Sequence, residues 1–296
     1  MKTTKEDPKI SAIIAEFKKQ QKVYADKFKN GGKLIGLATG FDKLDNVIDG
    51  LRPEHFWIIG GYTNMGKTFA ALNIAANLIL QGKRVSIYSL EMSQLDIVAR
   101  LLGIMTKQNG ATILKAYPHD TTAVENAFVK MIESCLVVHT SKYDLRDIRV
   151  SMFLEHKEQP VDLFVLDFLQ IVTVENSKSE YETTTAVAIQ MQQQAKLLKV
   201  PIIALSQISN DGARNPDQDV MTFKGSGAIA SAADLAIEIT KYKGDSKEDW
   251  ARRIKNNEPL NMTWYVRKNR HGKLGALDME FDGRTGIFKP TEFEKL

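Results

Sequence analysis

One cysteine in 296 residues, Cys135, excludes an internal disulfide. It lies in Ser134-Cys135-Leu136-Val137-Val138, where a buried strand thiol is expected rather than a reactive one. No apolar run approaches the ~18–20 residues of a membrane span, and the N-terminus lacks the apolar core of a signal peptide. A soluble, cytoplasmic protein without membrane contact is the expectation. Neither sign of charge dominates: 40 Lys and Arg stand against 36 Asp and Glu, for a net charge of +4. That mild basicity permits nucleic-acid binding without demonstrating it. What the chain does have is 43% hydrophobic residues, enough for one large α/β domain or two small ones.

The strongest local signal is Gly61-Tyr62-Thr63-Asn64-Met65-Gly66-Lys67-Thr68, which fits the phosphate-binding pattern G-x-x-x-x-G-K-[ST] at every fixed position. Before it, Phe56-Trp57-Ile58-Ile59 reads as a buried strand entering a tight turn. After it, Thr68 to Leu78 is a strong helix former with apolar residues at helical spacing. Strand, Gly-rich turn and helix aim backbone N–H groups and a helix dipole at a polyphosphate. Gly61, Asn64, Gly66, Lys67, Thr68 and Phe69 are therefore expected to hold an NTP, taken as ATP. Lys67 would reach the β- and γ-phosphates, and the Thr68 hydroxyl would ligate Mg²⁺.

Further strands end in polar residues. Arg84 to Leu90 runs into Glu91-Met92-Ser93, a carboxylate at the C-terminal end of a strand, where catalysis sits in open parallel sheets. Leu163-Phe164-Val165-Leu166-Asp167 is the Walker B pattern, delivering Asp167 to the Mg²⁺ shell. Pro201 to Gln207 is another buried strand, and Gln207 is placed to sense the γ-phosphate, to position water, or simply to face a loop. Helices are expected over Gln94–Met105, from Thr121 or Thr122 to Glu133, and over Asp144–Lys157. Leu136–His139 and Leu235–Thr240 read as strands. A polar loop, roughly 175–185, precedes a helix ending at Leu198. Residues 208–222 form a long polar, turn-rich loop, and Lys224-Gly225-Ser226-Gly227 before a small-residue helix offers free N–H donors to a phosphate. Residues 243–259 are highly charged and read as a variable insert. Two strands, Met262–Arg267 and Leu277–Asp282, close the chain around a basic hairpin tip, Arg267 to Lys273. That tip is either a solvated turn or a set of cations for a phosphate of another molecule.

Ahead of all this, Asp7 reads as N-cap and Pro8 as the first residue of a helix. Ile10, Ile13, Ile14, Phe17, Tyr24 and Phe28 share one face of it, with Lys18, Lys19, Lys22 and Lys29 opposite. Asn30-Gly31-Gly32 ends it. The stripe must dock on its own domain or on a neighbouring subunit. Leu34 to Asp45 then reads as a short strand, a turn and a short helix.

Lys67, Glu91, Asp167 and Gln207 together describe a metal-assisted nucleoside triphosphatase. Glu91 is the candidate to polarise water, as it ends the strand next to the loop rather than the metal strand. The chain from about Gly36 to Phe288 also resembles the RecA-like motor domain of the replicative DnaB-type helicases. The resemblance rests on Thr39-Gly40-Phe41-Asp42-Lys43-Leu44-Asp45, Met65-Gly66-Lys67-Thr68, Ser89-Leu90-Glu91-Met92-Ser93 and Leu166-Asp167-Phe168-Leu169-Gln170. It continues through Val200 to Gln207, Ser226-Gly227-Ala228-Ile229 with Ala233-Asp234, and Lys268-Asn269-Arg270-His271-Gly272.

The resemblance implies an α/β, RecA-like P-loop core: a mostly parallel central sheet flanked by helices and preceded by a linker helix. Residues 1–32 would be tail and linker helix, and residues 33–296 the motor domain. It implies a homo-hexameric ring that hydrolyses ATP at subunit interfaces, translocates 5′ to 3′ on single-stranded DNA and unwinds duplex. Lys268 and Arg270 would act on the neighbour's γ-phosphate. The loops at 175–185 and 208–222, with Arg214, would line the channel, and Lys224, Gly225, Ser226 and Gly227 would hold the DNA backbone. Primase and a helicase loader are the further partners implied. The family's N-terminal collar domain has no counterpart in the residues before Gly36, which suggests a phage or plasmid member or a lone motor domain. Tyr62-Thr63 stands where the family commonly has Arg-Pro, and Lys224-Gly225 where Arg-Glu is common. Competing readings are a RecA- or KaiC-like ATPase acting as a recombination, loading or clock-like switch protein, a small-molecule kinase, and a non-catalytic ATP binder.

Overall fold

A strand that is apolar at nearly every position has no solvent face and must be covered on both sides. That is the condition of β1 (Phe56–Gly61), β2 (Val85–Ser89), β4 (Leu163–Asp167) and β5 (Ile202–Gln207), all buried along their length apart from the half-buried Gln207. The computed structural model describes residues 8–29, 31–115, 120–177, 179–208 and 227–292. It joins these strands to β3 (Val137–His139), β6 (Leu235–Lys241), β7 (Leu260–Asn269), β8 (Gly275–Asp282) and β9 (Ile287–Pro290). The result is one nine-stranded sheet ordered β3-β2-β4-β5-β1-β6-β7-β8-β9. From β3 to β6 all pairings are parallel; from β6 to β9 they are antiparallel.

Successive side chains of each strand enter opposite cores. Trp57, Ile59, Ile87 and Val165 pack with α3 (Lys67–Leu80), α4 (Gln94–Thr106) and α6 (Thr121–Glu133). Phe56, Ile58, Tyr88 and Phe164 pack with α7 (Leu145–Glu158), α8 (Glu180–Leu198) and α9 (Gly227–Ala232). The helix starts are capped as their sequences suggest: the side chains of Ser93, Asp120, Asp144 and Ser179 accept from backbone N–H groups of α4, α6, α7 and α8. The expected α/β architecture, a mostly parallel sheet flanked by helices with a helix at the front, is present.

Several local expectations are corrected. Leu34–Leu37 is not a strand: a single bridge pairs Leu37 with Leu51 ahead of α2 (Asp42–Ile48). Cys135 is not a buried strand thiol. It sits half-buried in the turn before β3, at φ 50°, because the backbone must reverse there between α6 and β3. The loop expected at 175–185 ends earlier, since Ser179 caps a helix that begins at Glu180. α5 (Gly110–Lys115) and β9 carry no strong periodicity and were not expected. The charged insert contains α10 (Lys247–Lys255), which has a capping box at Ser246 and anchors through buried Trp250. The basic tip is shorter than expected, because Arg267, Lys268 and Asn269 belong to β7, with Lys268 and Asn269 opposite Ala236 and Leu235 of β6 across a bulge at Arg267.

α1 (Pro8–Lys29) lies apart from these layers. Ile10, Ile13, Ile14, Phe17 and Phe28 of its stripe are exposed. The helix is tied at its C-terminal end, where Lys27 Nζ donates to the carbonyls of Ile35 and Gly36, both at 3.0 Å. The N-cap expected at Asp7 falls outside the described residues. Among the described residues, no helix is long and apolar enough to cross a membrane.

Candidate functional site

β1 delivers the glycine-rich loop and α3 begins at Lys67, immediately after it. Gly66 turns the chain at φ 79°, and a Cβ there would come within 3.0 Å of Phe288, so both the backbone and the space ask for glycine. Asn64 also takes positive φ, at 63°, which asparagine tolerates better than most residues. Lys67 Nζ folds back over its own loop and donates to the Tyr62 carbonyl at 2.9 Å. Burial lowers its pKa from the ordinary ammonium value, while Asp167 and Glu91 act in the opposite direction.

Asp167 ends β4 at 3% exposure, and the Thr68 hydroxyl donates to its Oδ2 at 2.9 Å. Burial pushes this carboxyl up to about 6; Thr68, Arg100 and Lys67 pull it down and Glu91 adds to the rise. A buried carboxylate whose partner is a hydroxyl oxygen is an under-compensated charge. Two hard oxygen ligands so placed fit a divalent cation of the Mg²⁺ type.

Glu91 lines the same cleft and is exposed. Its strand, however, is not the neighbour of the phosphate-loop strand. β2 pairs with β4, the Asp167 strand, and two strands, β4 and β5, separate it from β1. Glu91 therefore reaches the cleft from beside the metal carboxylate, contrary to the sequence expectation. Gln207 ends β5 directly opposite Gly61. Its amide nitrogen donates to Thr63 Oγ1, and its backbone N–H donates to Gln170 Oε1 at 3.3 Å. Gln170 Nε2 in turn donates to Ser206 Oγ at 3.0 Å and to the Gln207 carbonyl at 3.2 Å. The strand end that carries Gln207 is thus fastened to the turn after Asp167.

The cleft of about 310 Å³ gathers Asn64, Gly66, Lys67, Thr68, Phe69, Glu91, Asp167 and Gln207. It also contains Arg100 and Phe281, which the sequence did not single out. Arg100 comes from α4, with its guanidinium 4.6 Å from the centre of the Phe69 ring. Burial lowers its pKa, and Asp167, Asp96 and Glu91 oppose that. An arginine among the apolar positions Val98, Ala99, Leu101 and Leu102 was the available signal. Phe281 arrives from β8, and nothing local marks it.

Lys268 and Arg270 are not in this cleft. β6 runs parallel to β1 with Trp57 opposite Leu235 and Gly61 opposite Ile239, and β7 returns antiparallel with Asn269 opposite Leu235. The two cations therefore sit where β1 begins, and the phosphate loop sits where β1 ends. Phe56 to Gly61 is five steps at ~3.3 Å each, roughly 16 Å. Arg270 Nη1 donates to Asp234 Oδ1 at 3.0 Å and Nη2 to the Ser231 carbonyl at 2.8 Å. Lys268 Nζ donates to the carbonyls of Ala230 and Ser231, at 2.7 and 2.8 Å. Burial and then Arg270 lower the Lys268 pKa, against Asp234. Of the DNA-contact candidates, Arg214, Lys224, Gly225 and Ser226 lie outside the described residues, and Gly227 is the first residue of α9.

Residues 36–290 match the family model described as the DnaB-like helicase C-terminal domain. The chain is 25% identical over 260 residues to the replicative DNA helicase DnaB of Treponema pallidum, covering 86% of this chain and 56% of that one. It is 27% identical over 282 residues to a probable plasmid replicative DNA helicase of Chlamydia muridarum, covering 93% and 59%. It spans somewhat over half the length of these curated relatives. Among solved structures, the ATPase domain of G40P superposes with a TM-score of 0.79 at 22% identity, covering 97% of this chain and all of that one. A DnaB-like replicative helicase, in a structure that describes its interactions with primase, gives 0.73 at 21% identity, covering 91% and 65%. At these identities the two superpositions speak for the fold.

Proposed function

The chain belongs to the family of DnaB-like helicase C-terminal domains, and on that premise we propose that it is the ATP-driven motor of a ring-shaped replicative DNA helicase. In this reading six copies assemble around single-stranded DNA and move 5′ to 3′ along it. The observation that carries the reading is the split between the cleft and the cations. Lys67, Thr68, Glu91, Asp167 and Gln207 converge in one cleft, while Lys268 and Arg270 lie at the far end of the same sheet. Cations that cannot reach their own nucleotide are suited to a neighbour's.

Thr68 and Asp167 would hold Mg²⁺ against ATP bound in the loop, and the bound pair supplies a phosphoryl group activated for attack by water. Lys67 exchanges the Tyr62 carbonyl for phosphate oxygens and neutralises charge on the leaving group. Glu91, exposed on the cleft wall, takes a proton from the attacking water. Gln207, held by Gln170 and Thr63, offers its amide to the γ-phosphate or the water. Arg270 of the adjacent copy stabilises charge that develops on the transferred group, a contribution of about 10³–10⁵ in rate in related chemistry. The exposed stripe of α1 packs on the adjacent copy. The loop at 208–222, with Arg214, would line the channel, and Lys224, Gly225, Ser226 and Gly227 would hold the DNA backbone in a sequence-independent, salt-sensitive manner. Primase and a loader are the further partners proposed.

The test is an unwinding assay on forked duplexes bearing 5′ or 3′ tails, with Glu91→Gln run in parallel. The wild-type chain is expected to separate strands only with ATP and a 5′ tail. Glu91→Gln is expected to bind ATP and DNA while turnover drops about 10²–10⁴-fold. DNA-stimulated turnover without strand separation would replace the helicase reading with a switch ATPase. A monomer indifferent to DNA would end both.

A further inference from the structure

The turn that carries Arg270 is braced on a second histidine. His55 immediately precedes β1 and His271 immediately follows Arg270; their rings stack with centroids 4.6 Å apart and planes inclined by 24°. Asp234, 5% exposed, stands between the same two segments. Its Oδ1 accepts from Arg270 Nη1, its Oδ2 accepts from the Phe56 N–H at 3.0 Å, and its carbonyl accepts from the Arg270 N–H at 3.0 Å. The other side of the turn is pinned by Asn269. Its Oδ1 accepts from the His271 N–H at 3.1 Å, and its Nδ2 donates to the carbonyls of Val47 and Lys273. Side chain, backbone and stacked ring thus all set the direction in which Arg270 leaves the fold.

We propose that His55 is a positioning residue for Arg270: its ring is the platform on which His271 stacks, and the stack holds the Arg270 turn in the orientation that serves a neighbouring nucleotide. The proposal rests on the reading that Arg270 acts across the subunit interface. Arg270 and His271 are exposed and at the end of a strand, and the hydrogen bonds through Asp234, Ser231 and Asn269 hold the guanidinium and the backbone but leave the exposed His271 end of the turn to pivot about them. A flat ring at its far side removes that pivot, and small misplacements of a group acting on a transition state cost rate steeply.

The platform has to stay uncharged. The charged and titratable groups that act on it are Arg52 from its own segment, Asp234 just ahead of β6, and His271 from the turn. Burial first, then His271, and also Arg52, lower the His55 pKa to about 4, with Asp234 opposing. Between pH 5 and 8 the ring is neutral and adds no repulsion to a cluster already rich in cations.

The experiment compares His55→Ala, His55→Phe and His271→Ala in the full chain, with DNA-stimulated ATP turnover as the readout. His55→Ala is expected to lower kcat about tenfold with KM for ATP nearly unchanged, since Arg270 is taken to act on the transition state. His55→Phe, which keeps a flat ring, is expected to restore kcat. His271→Ala is expected to match His55→Ala, and the double variant to be no worse than either. Should His55→Ala fail to fold, His271→Ala, altered at an exposed ring, carries the same test. Equal activity of His55→Phe and His55→Ala, or a rise in KM that accounts for the whole effect, overturns the proposal. So does wild-type kcat in the alanine variants. Mixed assemblies of wild-type and Arg270→Ala chains separate the two layers. A loss in proportion to dose means that the reading of concerted action across the interface has failed. A disproportionate loss beside wild-type His55→Ala means that only the platform has failed.

Discussion

Asn73 is a polar residue in the apolar stripe of α3, and its side chain does the fastening there. Its Nδ2 donates to the carbonyls of Phe69 and Gly286, and its Oδ1 accepts from the Phe288 N–H. The phosphate-loop helix and the β8–β9 turn are thereby one unit. Asn73→Ala leaves buried backbone groups without partners, so stability is expected to fall by about 2–4 kcal/mol, read from urea unfolding. A change under about 0.5 kcal/mol, the range of an ordinary surface substitution, would deny the side chain this part. Lys67, Thr68, Glu91, Asp167 and Gln207 could be named from the sequence because each sits at a strand end or helix start with a pattern of its own. Arg100 and Phe281 could not. Their places in the cleft follow from how α4 and β8 pack, and the charge of Arg100 among apolar positions is the single local mark that packing leaves. Part of the family-like Thr39–Asp45 stretch also has a local cause. Buried Asp45 accepts twice from the Thr39 N–H, and Asn77 donates to the Thr39 carbonyl.

Helices and strands with strong periodicity and clear ends were legible within one or two residues, as α4, α6, β4 and β5 demonstrate. β9 and α5 were missed because four to six residues are too few to display a period, and neither has the solid apolar run with a polar end that marks β4 and β5. The strand expected at Leu34–Leu37 failed for want of a partner beyond Leu51. α1 is the element whose sequence said most about its surroundings. Its exposed stripe of Ile10, Ile13, Ile14 and Phe17 has no cover from the described residues of its own chain. Removing residues 1–30 is expected to dissociate the assembly, measured by sedimentation with nucleotide present. An assembly of unchanged size would place that stripe outside the subunit contact.

For the whole molecule, the expected outcome concerns mixtures. Chains carrying Arg270→Ala are combined with wild-type chains at fixed total concentration and assayed for ATP turnover. If each site draws on two chains and the sites work in concert, activity at half substitution lies well below half. A straight line would deny that sites drawing on two chains work in concert. The sequence supplied the pieces of the site, and the resemblance implied the trans relation proposed for them. The strand order, by contrast, could not be read, since registers such as Gly61 opposite Ile239 depend on contacts about 180 residues apart.

The separation of loop and cations along one sheet also has an arithmetic of closure. If Lys268 and Arg270 serve a neighbour's nucleotide as proposed, each contact in a row of subunits completes one site, so an open arc has one site fewer than it has members. The first copy then shows an unused cation pair and the last an unmatched nucleotide. Closing the circle removes both loose ends at once. In the proposed ring, an arc parted to admit a strand of DNA would lose a single engine, located at the gap, and regain it only when the strand is enclosed.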